Sequence, residues 1–264
     1  MTYVQAVLLG IMQGITEFLP VSSSGHLVVL RQFMHLQDIP VFFDVILHVA
    51  TLFVVLMVFR DRIGRIILSI FRFLSGRKNE EDAENIRLFG IILIATVITA
   101  AMGLGIEKIH AGSHIRLVSG LFILTGVILW MSRFAGGRLG YGNMGIKMGI
   151  ITGFAQGLGV LPGISRSGIT ITAALLCGMT REKAGEFSFL ISIPAILGAL
   201  LFEMKDLDIL FVSITPLKIS AGFISAFITG LLSLLLLLKL ARSGKLYFFT
   251  FYLVPLGVLG LLFF

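Results

Sequence analysis

Long apolar runs separated by short charged ones dominate the chain, and their lengths predict an all-α protein whose helices cross a membrane. Residues 41–59, 88–106, 115–131, 184–203, 217–238 and 247–264 each approach the roughly 20 apolar residues that one crossing needs. Two further stretches are interrupted. Residues 3–18 are apolar apart from Gln5, Gln13 and Glu17, stop at Pro20 and a serine run, and resume only over 27–36. Residues 146–161 and 169–179 repeat that pattern around Pro162. No single arm reaches comfortably across a hydrocarbon core of ~30 Å, so each pair reads as a re-entrant helix–break–helix element. Non-helical backbone at that depth is tolerated only when buried in protein or lining a wet cavity. One ordinary kinked span is the plainer alternative for the first of them.

Charge then orients the spans. Residues 60–87 hold Arg60, Arg62, Arg65, Arg72, Arg77, Lys78 and Arg87 beside an acidic cluster, Glu80, Glu81, Asp82 and Glu84. Loops 132–147, 180–184 and 239–246 are also basic, whereas 107–114 and 204–216 are poorer in positive charge. The positive-inside rule puts the basic loops in the cytoplasm and the other two outside. Six spans then place both termini outside. The first broken element must enter from the outside and the second from the cytoplasm, which is the arrangement of inverted-topology repeats. One membrane domain over 1–264 is expected, with repeat one at about 1–131 and repeat two at about 145–264.

The two breaks carry a repeated motif. Gln13 and Gln156 lie 143 positions apart, and the same spacing relates Gly10 to Gly153, Gly14 to Gly157, Ser22 to Ser165, Ser24 to Ser167 and Gly25 to Gly168. Only the proline slips, by one position. Where the first copy has Ser23, the second has Arg166.

Composition agrees with the pattern and adds little. Of 264 residues, 57% are hydrophobic and 13% charged, against about 25% charged in soluble domains. The net charge of +7 matters through its placement in loops, so the expected partners are membrane and lipid, with no nucleic acid. A homo-oligomer is left open. Cys177 is the sole cysteine, which excludes an intramolecular disulfide. Met1 to Phe18 lacks the basic n-region of a cleavable signal peptide.

Charged groups at membrane depth cost roughly 2.5–3.5 kcal/mol each, so they must face a partner or water. Gln13 and Glu17 stand on one helix face, and Asp44 and His48 repeat that spacing. Asp44 with His48 also reads as a local polar pair, Thr170 and Thr172 as hydroxyls bonded back to their own helix, and Glu186 as a solvated neighbour of Arg181 and Lys183. Arg31, His35, His110 and His114 read as interfacial. Glu17, His26 and Arg166 resist such readings because they sit at helix breaks, where unsatisfied backbone N–H groups bind anions.

Together these residues make the parts of a phosphoryl-transfer site. Arg166 offers a planar fork for phosphate oxygens, among donors from Ser22, Ser24, Gly25, Gly163, Ser165 and Ser167. Ser23 offers a nucleophilic hydroxyl and His26 moves a proton near neutral pH. Glu17, with Gln13, can hold a divalent metal, magnesium or calcium, or act as a base. Thr170, Gln156, Asp44 and His48 complete the expected substrate-binding set. A pocket within the membrane implies a phosphate carried by a lipid. Both Ser23 and His26 can reach one phosphate. The sequence does not order them, and Ser23 is taken as nucleophile with His26 as its acid/base.

The motifs Gln13-x-x-x-Glu17, Val21-Ser-Ser-Ser-Gly-His26 and Pro162-Gly-Ile-Ser-Arg166-Ser-Gly-Ile-Thr170 resemble those of the bacitracin-resistance family of undecaprenyl-diphosphate phosphatases, over nearly the whole chain. That resemblance implies hydrolysis of undecaprenyl diphosphate to undecaprenyl phosphate, which recycles the lipid carrier of cell-wall synthesis. It further implies a bacterial inner-membrane location, divalent-metal dependence and a site open to the outer face. By position it assigns the family's glutamate motif to Gln13 and Glu17, its serine to Ser23, its histidine to His26 and its arginine to Arg166. Glutamine at the first position removes one carboxylate ligand. A second lipid-phosphatase family uses Pro-Ser-Gly-His and a later Ser-Arg-x5-His, but no histidine follows Arg166 here and Ser23 precedes Ser24. The rival from another class is a polyprenyl-phosphate transporter or flippase. It needs phosphate recognition but not Ser23, His26 and Glu17 converging.

Overall fold

The computed structural model describes residues 1–36, 38–76, 80–107, 114–204 and 213–264. The helices run in the order α1 (Tyr3–Phe18), α2 (Ser23–Phe33), α3 (Val41–Val58), α4 (Arg60–Leu74), α5 (Glu80–Glu107), α6 (Ile115–Met131), α7 (Ile146–Leu158), α8 (Arg166–Leu176), α9 (Arg181–Glu203), α10 (Pro216–Arg242) and α11 (Thr250–Phe263). Among the described residues six helical stretches are long and apolar enough to cross a membrane, and they fall on the six expected spans. Among the described residues there is no strand, only a lone bridge between Leu139 and Met179. Most of loops 107–114 and 204–216, with Arg77, Lys78 and His110, lies outside the described residues, as do the side chains of Glu80 and Glu81.

Segment 60–87, expected as a loop, is largely helical. Its density of arginines hid an amphipathic helix. In α4, Ile66 and Ser69 are buried while Ile67, Leu68, Phe71 and Leu74 are exposed. The Ser69 hydroxyl donates to Asp82 Oδ1 at 2.7 Å and accepts from Asn85 Nδ2 at 2.9 Å, which pins α4 to α5.

The broken pieces also start earlier than the apolar pattern implied. Residues 23–26 and 166–168, expected within the breaks, form the first turns of α2 and α8. Serine is a favoured N-cap, and Ser22 and Ser165 occupy that position in the two helices. At the other end of the first element, a capping box between Thr2 and Gln5 opens α1, and Leu19 with Pro20 ends it.

Small residues set the packing. Helix α1 lies along α10 and α7 along α5, while α6 lies along α11. Gly14 shows how close α1 and α10 come, since a Cβ there would sit 2.5 Å from the Ala226 carbonyl oxygen. Such approaches supply the dispersion contacts that hold helices together in lipid, where no water is left to expel.

Side-chain pairs show which loops share an end of the bundle. Arg62 reaches Glu84 at 3.1 Å and Glu186 at 3.3 Å and lies 4.5 Å over the Tyr141 ring. Glu186 also takes Lys183 at 3.3 Å, Arg242 pairs with Glu182 at 2.9 Å, and Arg87 donates to the Gly142 carbonyl. All four basic loops therefore meet at one end. Burial, with Glu186 beside it, pushes the Tyr141 phenol well above its ordinary pKa. At the other end Lys218 lies 5.7 Å over Tyr3, and Phe33 touches Phe264 with ring centroids 6.0 Å apart. Both chain ends are there. Exposed ion pairs contribute only ~0–1 kcal/mol, so these contacts matter here for where they lie.

Candidate active site

The site forms where the far end of α1 meets the first turns of α2 and α8. Each of those turns begins with a capped helix. The Ser165 hydroxyl accepts from Gly168 N at 3.1 Å. The Ser22 hydroxyl accepts from Gly25 N at 3.4 Å and also from Gly163 N at 3.0 Å, so one serine ties the two breaks together. Ser22 sits at φ 68°, a conformation that costs a non-glycine residue energy and persists only when its surroundings hold it. Here they do, because its carbonyl also accepts from the His26 backbone N–H at 3.2 Å. Gly163 at φ 101° supplies the matching turn in the second break, where its carbonyl accepts from the Thr125 hydroxyl at 2.8 Å.

Glu17 is the hub. Its Oε1 pairs with Arg166. Its Oε2 accepts the Ser23 hydroxyl at 2.5 Å and Gln13 Nε2 at 3.0 Å, and lies 3.4 Å from His48 Nε2. The carboxylate is almost wholly buried, at 3% side-chain exposure, which only a partner set of this size makes tolerable. Arg166 keeps 22% of its side chain exposed, so its guanidinium can still reach an incoming anion.

His26 belongs to a different pair. Its Nδ1 is 2.8 Å from the Ser22 carbonyl, which only accepts, so Nδ1 carries the proton. Nε2 then accepts from the Tyr252 hydroxyl at 2.8 Å. The expected partner of Ser23 was His26. The observed partner is Glu17, because the turn after Pro20 folds the serine back onto the last turn of α1.

The remaining expected residues divide. Ser167 donates to the Phe18 carbonyl at 3.1 Å and lies 3.2 Å from Ser165, inside the seam between the two elements. Gly25 packs against Phe122 and the Gly163 backbone, and Ser24 is half-buried beside the cluster. Thr170 bonds back to the Arg166 carbonyl at 2.7 Å and to Ser188 at 2.5 Å. Gln156 lies outside the cluster, with its amide donating to Thr99 at 3.1 Å and to the Ile191 carbonyl at 3.2 Å. Asp44 and His48 do not pair through their side chains. Asp44 takes Arg31 at 2.8 Å, and only its carbonyl meets His48 Nδ1, at 2.8 Å, which leaves Nε2 aimed at Glu17. Arg31, expected at the interface, thus ties α2 to the start of α3. Thr125 and Tyr252 went unnoticed in the sequence, since a threonine or tyrosine in an apolar span resembles any other.

Among the described residues, no three His, Cys, Asp or Glu side chains come together as a metal cage. Gln13 Oε1, however, like Gln156 Oε1, is buried without a partner among the described residues, and of the two only Gln13 lies one helical turn from Glu17. Two oxygens on one face fit an ion that completes its shell with substrate phosphates and water, as magnesium commonly does.

The family model described as bacitracin resistance protein BacA matches residues 6–259. An undecaprenyl-diphosphatase of Treponema denticola is 46% identical, covering 98% of this chain and 96% of the relative. Those of Borrelia recurrentis and Desulfosudis oleivorans are 40% and 39% identical, over 98% and 96% of this chain and 97% and 96% of the relatives.

Proposed function

This chain belongs to the bacitracin-resistance BacA family, and from that premise we propose that the Glu17 cluster is where it turns over its lipid substrate. The protein is a membrane phosphatase that hydrolyses undecaprenyl diphosphate to undecaprenyl phosphate and inorganic phosphate. The observation that carries the site assignment is the Ser23 hydroxyl donating to Glu17 Oε2 at 2.5 Å while Arg166 occupies Oε1.

In this reading the terminal phosphate of the substrate competes with Glu17 for the Arg166 guanidinium, a fork matched to two phosphate oxygens. Ser23 Oγ attacks the terminal phosphorus and its proton passes to Glu17. The new Oγ–P bond forms as the bond to undecaprenyl phosphate breaks, and the first product leaves as an anion that needs no proton. Water then attacks the phosphoserine. One water proton goes to His26 Nε2 while the water oxygen stays on phosphorus, and Glu17 returns to Ser23 the proton it took in the first step. Inorganic phosphate departs as His26 releases its proton to solvent. A magnesium or calcium ion held by Glu17 and Gln13 would offset charge on the diphosphate.

The broken elements α1–α2 and α7–α8 are further proposed to be re-entrant and to form inverted repeats, with the active site open to the outer face of the inner membrane. In support, the four basic loops meet at one end and both chain ends lie at the other. Glu17 lies about 20 Å of helix from Tyr3, deeper than an interface residue would be. A cysteine at exposed Asn143 in a Cys177→Ser background should resist an impermeant reagent in intact cells; ready labelling there would reverse the orientation.

Phosphate release by purified protein in detergent tests the function, because hydrolysis needs no bilayer whereas lipid transport does. Release that Ser23→Ala abolishes is the expected result. Release unchanged by Ser23→Ala would remove the serine from the reaction.

A further inference from the structure

We propose that Tyr252 is a positioning residue for His26, holding the imidazole so that Nε2 is the basic atom of the second, water-consuming step. The inference rests on the role given above to His26. Tyr252 comes from α11, far from the serine motif in sequence, yet its hydroxyl lies 2.8 Å from His26 Nε2.

Three contacts fix the ring. The Ser22 carbonyl takes the Nδ1 proton at 2.8 Å, which sets the tautomer. The Tyr252 ring stacks on the imidazole, centroids 5.8 Å apart with 14° between planes, and Phe122 meets it edge-on at 5.0 Å. A flip of the ring about its own axis would carry Nε2 away and would break the Nδ1 bond to Ser22. The Tyr252 hydroxyl adds a second bond against that flip, on the reacting atom itself, by donating to Nε2. Because Tyr252 is 48% exposed, its hydroxyl can also swing off when the attacking water takes its place.

The division of labour in the site makes such a holder necessary. Ser23 already gives its proton to Glu17, so His26 is not needed to activate the nucleophile. In the second step an O–P bond forms from water while the Oγ–P bond breaks, and the water proton passes to Nε2. Only a correctly held Nε2 serves. Loss of the Tyr252 hydroxyl should therefore slow dephosphorylation of Ser23 and leave its phosphorylation intact.

Tyr252→Phe keeps the stacked ring and removes only the hydroxyl, so folding is not at stake. With undecaprenyl diphosphate in detergent, kcat should fall about tenfold, the scale of one lost hydrogen bond, with KM within about twofold. The acid-stable phosphate ester trapped on Ser23 at steady state should rise. Nitrogen NMR of protein labelled at histidine, with His26 identified by its loss in His26→Gln, should show the Nε2 signal moving toward that of a free imine nitrogen. An unmoved Nε2 signal would mean the bond is absent in solution and overturns the proposal. A moved signal with unchanged kcat overturns it too, as does a large rise in KM alone, which would make Tyr252 a substrate contact. Full activity of His26→Gln would instead remove His26 from the reaction, whatever the Tyr252 signal shows.

Discussion

The two broken elements have one frame and unequal chemistry. Each has a buried glutamine on its first helix, a break containing proline, and a serine N-cap that receives the backbone of the glycine three residues on. At the same spacing, Ser23 faces Arg166 as the first residue of its helix, but Glu17 corresponds to Val160 and His26 to Ile169. The first element thus holds the carboxylate, the proposed nucleophile and the imidazole, and the second contributes a single cation. The glutamines differ most instructively. Gln13 turns its amide to Glu17, whereas Gln156 spends its amide on Thr99 and the Ile191 carbonyl. Two helix N-termini meet at one place, and on the proposed reading three side-chain differences decide which of them does the chemistry.

The comparison breaks most severely at Glu17 and Ser23. Ser23→Ala should abolish turnover, and Glu17→Gln should lower it by about 10²–10⁴, the usual contribution of a positioned base. Quenching wild type in acid with labelled substrate should trap phosphate on Ser23. An adduct that is acid-labile, base-stable and still formed by Ser23→Ala would move the attack to His26.

The single charge of the second element comes next. Arg166→Lys should be nearly as damaging as Arg166→Ala, a drop of about 10²–10³ in kcat. Lysine keeps the charge but loses the fork that leaves Glu17 for two phosphate oxygens. Near-normal turnover of the lysine variant would reduce Arg166 to a diffuse counter-charge.

These residues were legible in the sequence because polar groups inside apolar runs are costly and so stand out. The six spans were legible for the converse reason, as run length alone sets them. Pairing was not legible. Nothing in the spacing says that Ser23 folds back onto Glu17, that His48 reaches the same carboxylate from α3, or that Asp44 turns to Arg31. Each of those depends on how separate helices dock. Helix α4 was hidden differently, since its arginines mark a membrane face and helicity leaves charge unchanged. Gln13 and Gln156 are indistinguishable by motif, and only their neighbours separate them.

Those two glutamines sharpen the comparison at intermediate cost. Gln156→Leu should lower thermal stability by about 1–3 kcal/mol, because it leaves buried Thr99 and the Ile191 carbonyl without their amide, and should leave kcat alone. Gln13→Leu should do the reverse, with weaker metal stimulation and a smaller loss of stability, while Gln13→Glu keeps activity. Equal effects of the two leucine variants on kcat would erase the distinction.

The smallest effect is expected at Thr170, which the sequence placed among the substrate-binding residues. Its hydroxyl is already committed, donating to the Arg166 carbonyl at 2.7 Å and lying 2.5 Å from Ser188 Oγ. One partner is a helix carbonyl and the other a buried hydroxyl, so a phosphate would have to displace bonds within the protein. Thr170→Val keeps the side-chain volume and removes only that hydroxyl. It should cost about 1 kcal/mol of stability, from one lost hydrogen bond, and change kcat and KM by less than about threefold. The corresponding residue of the first element is Leu27, so that element forms its helix with no hydroxyl at this position. A hundredfold loss in Thr170→Val, at unchanged thermal stability, would show instead that the hydroxyl leaves Arg166 to grip the phosphate, and that the second element brings two groups to the reaction.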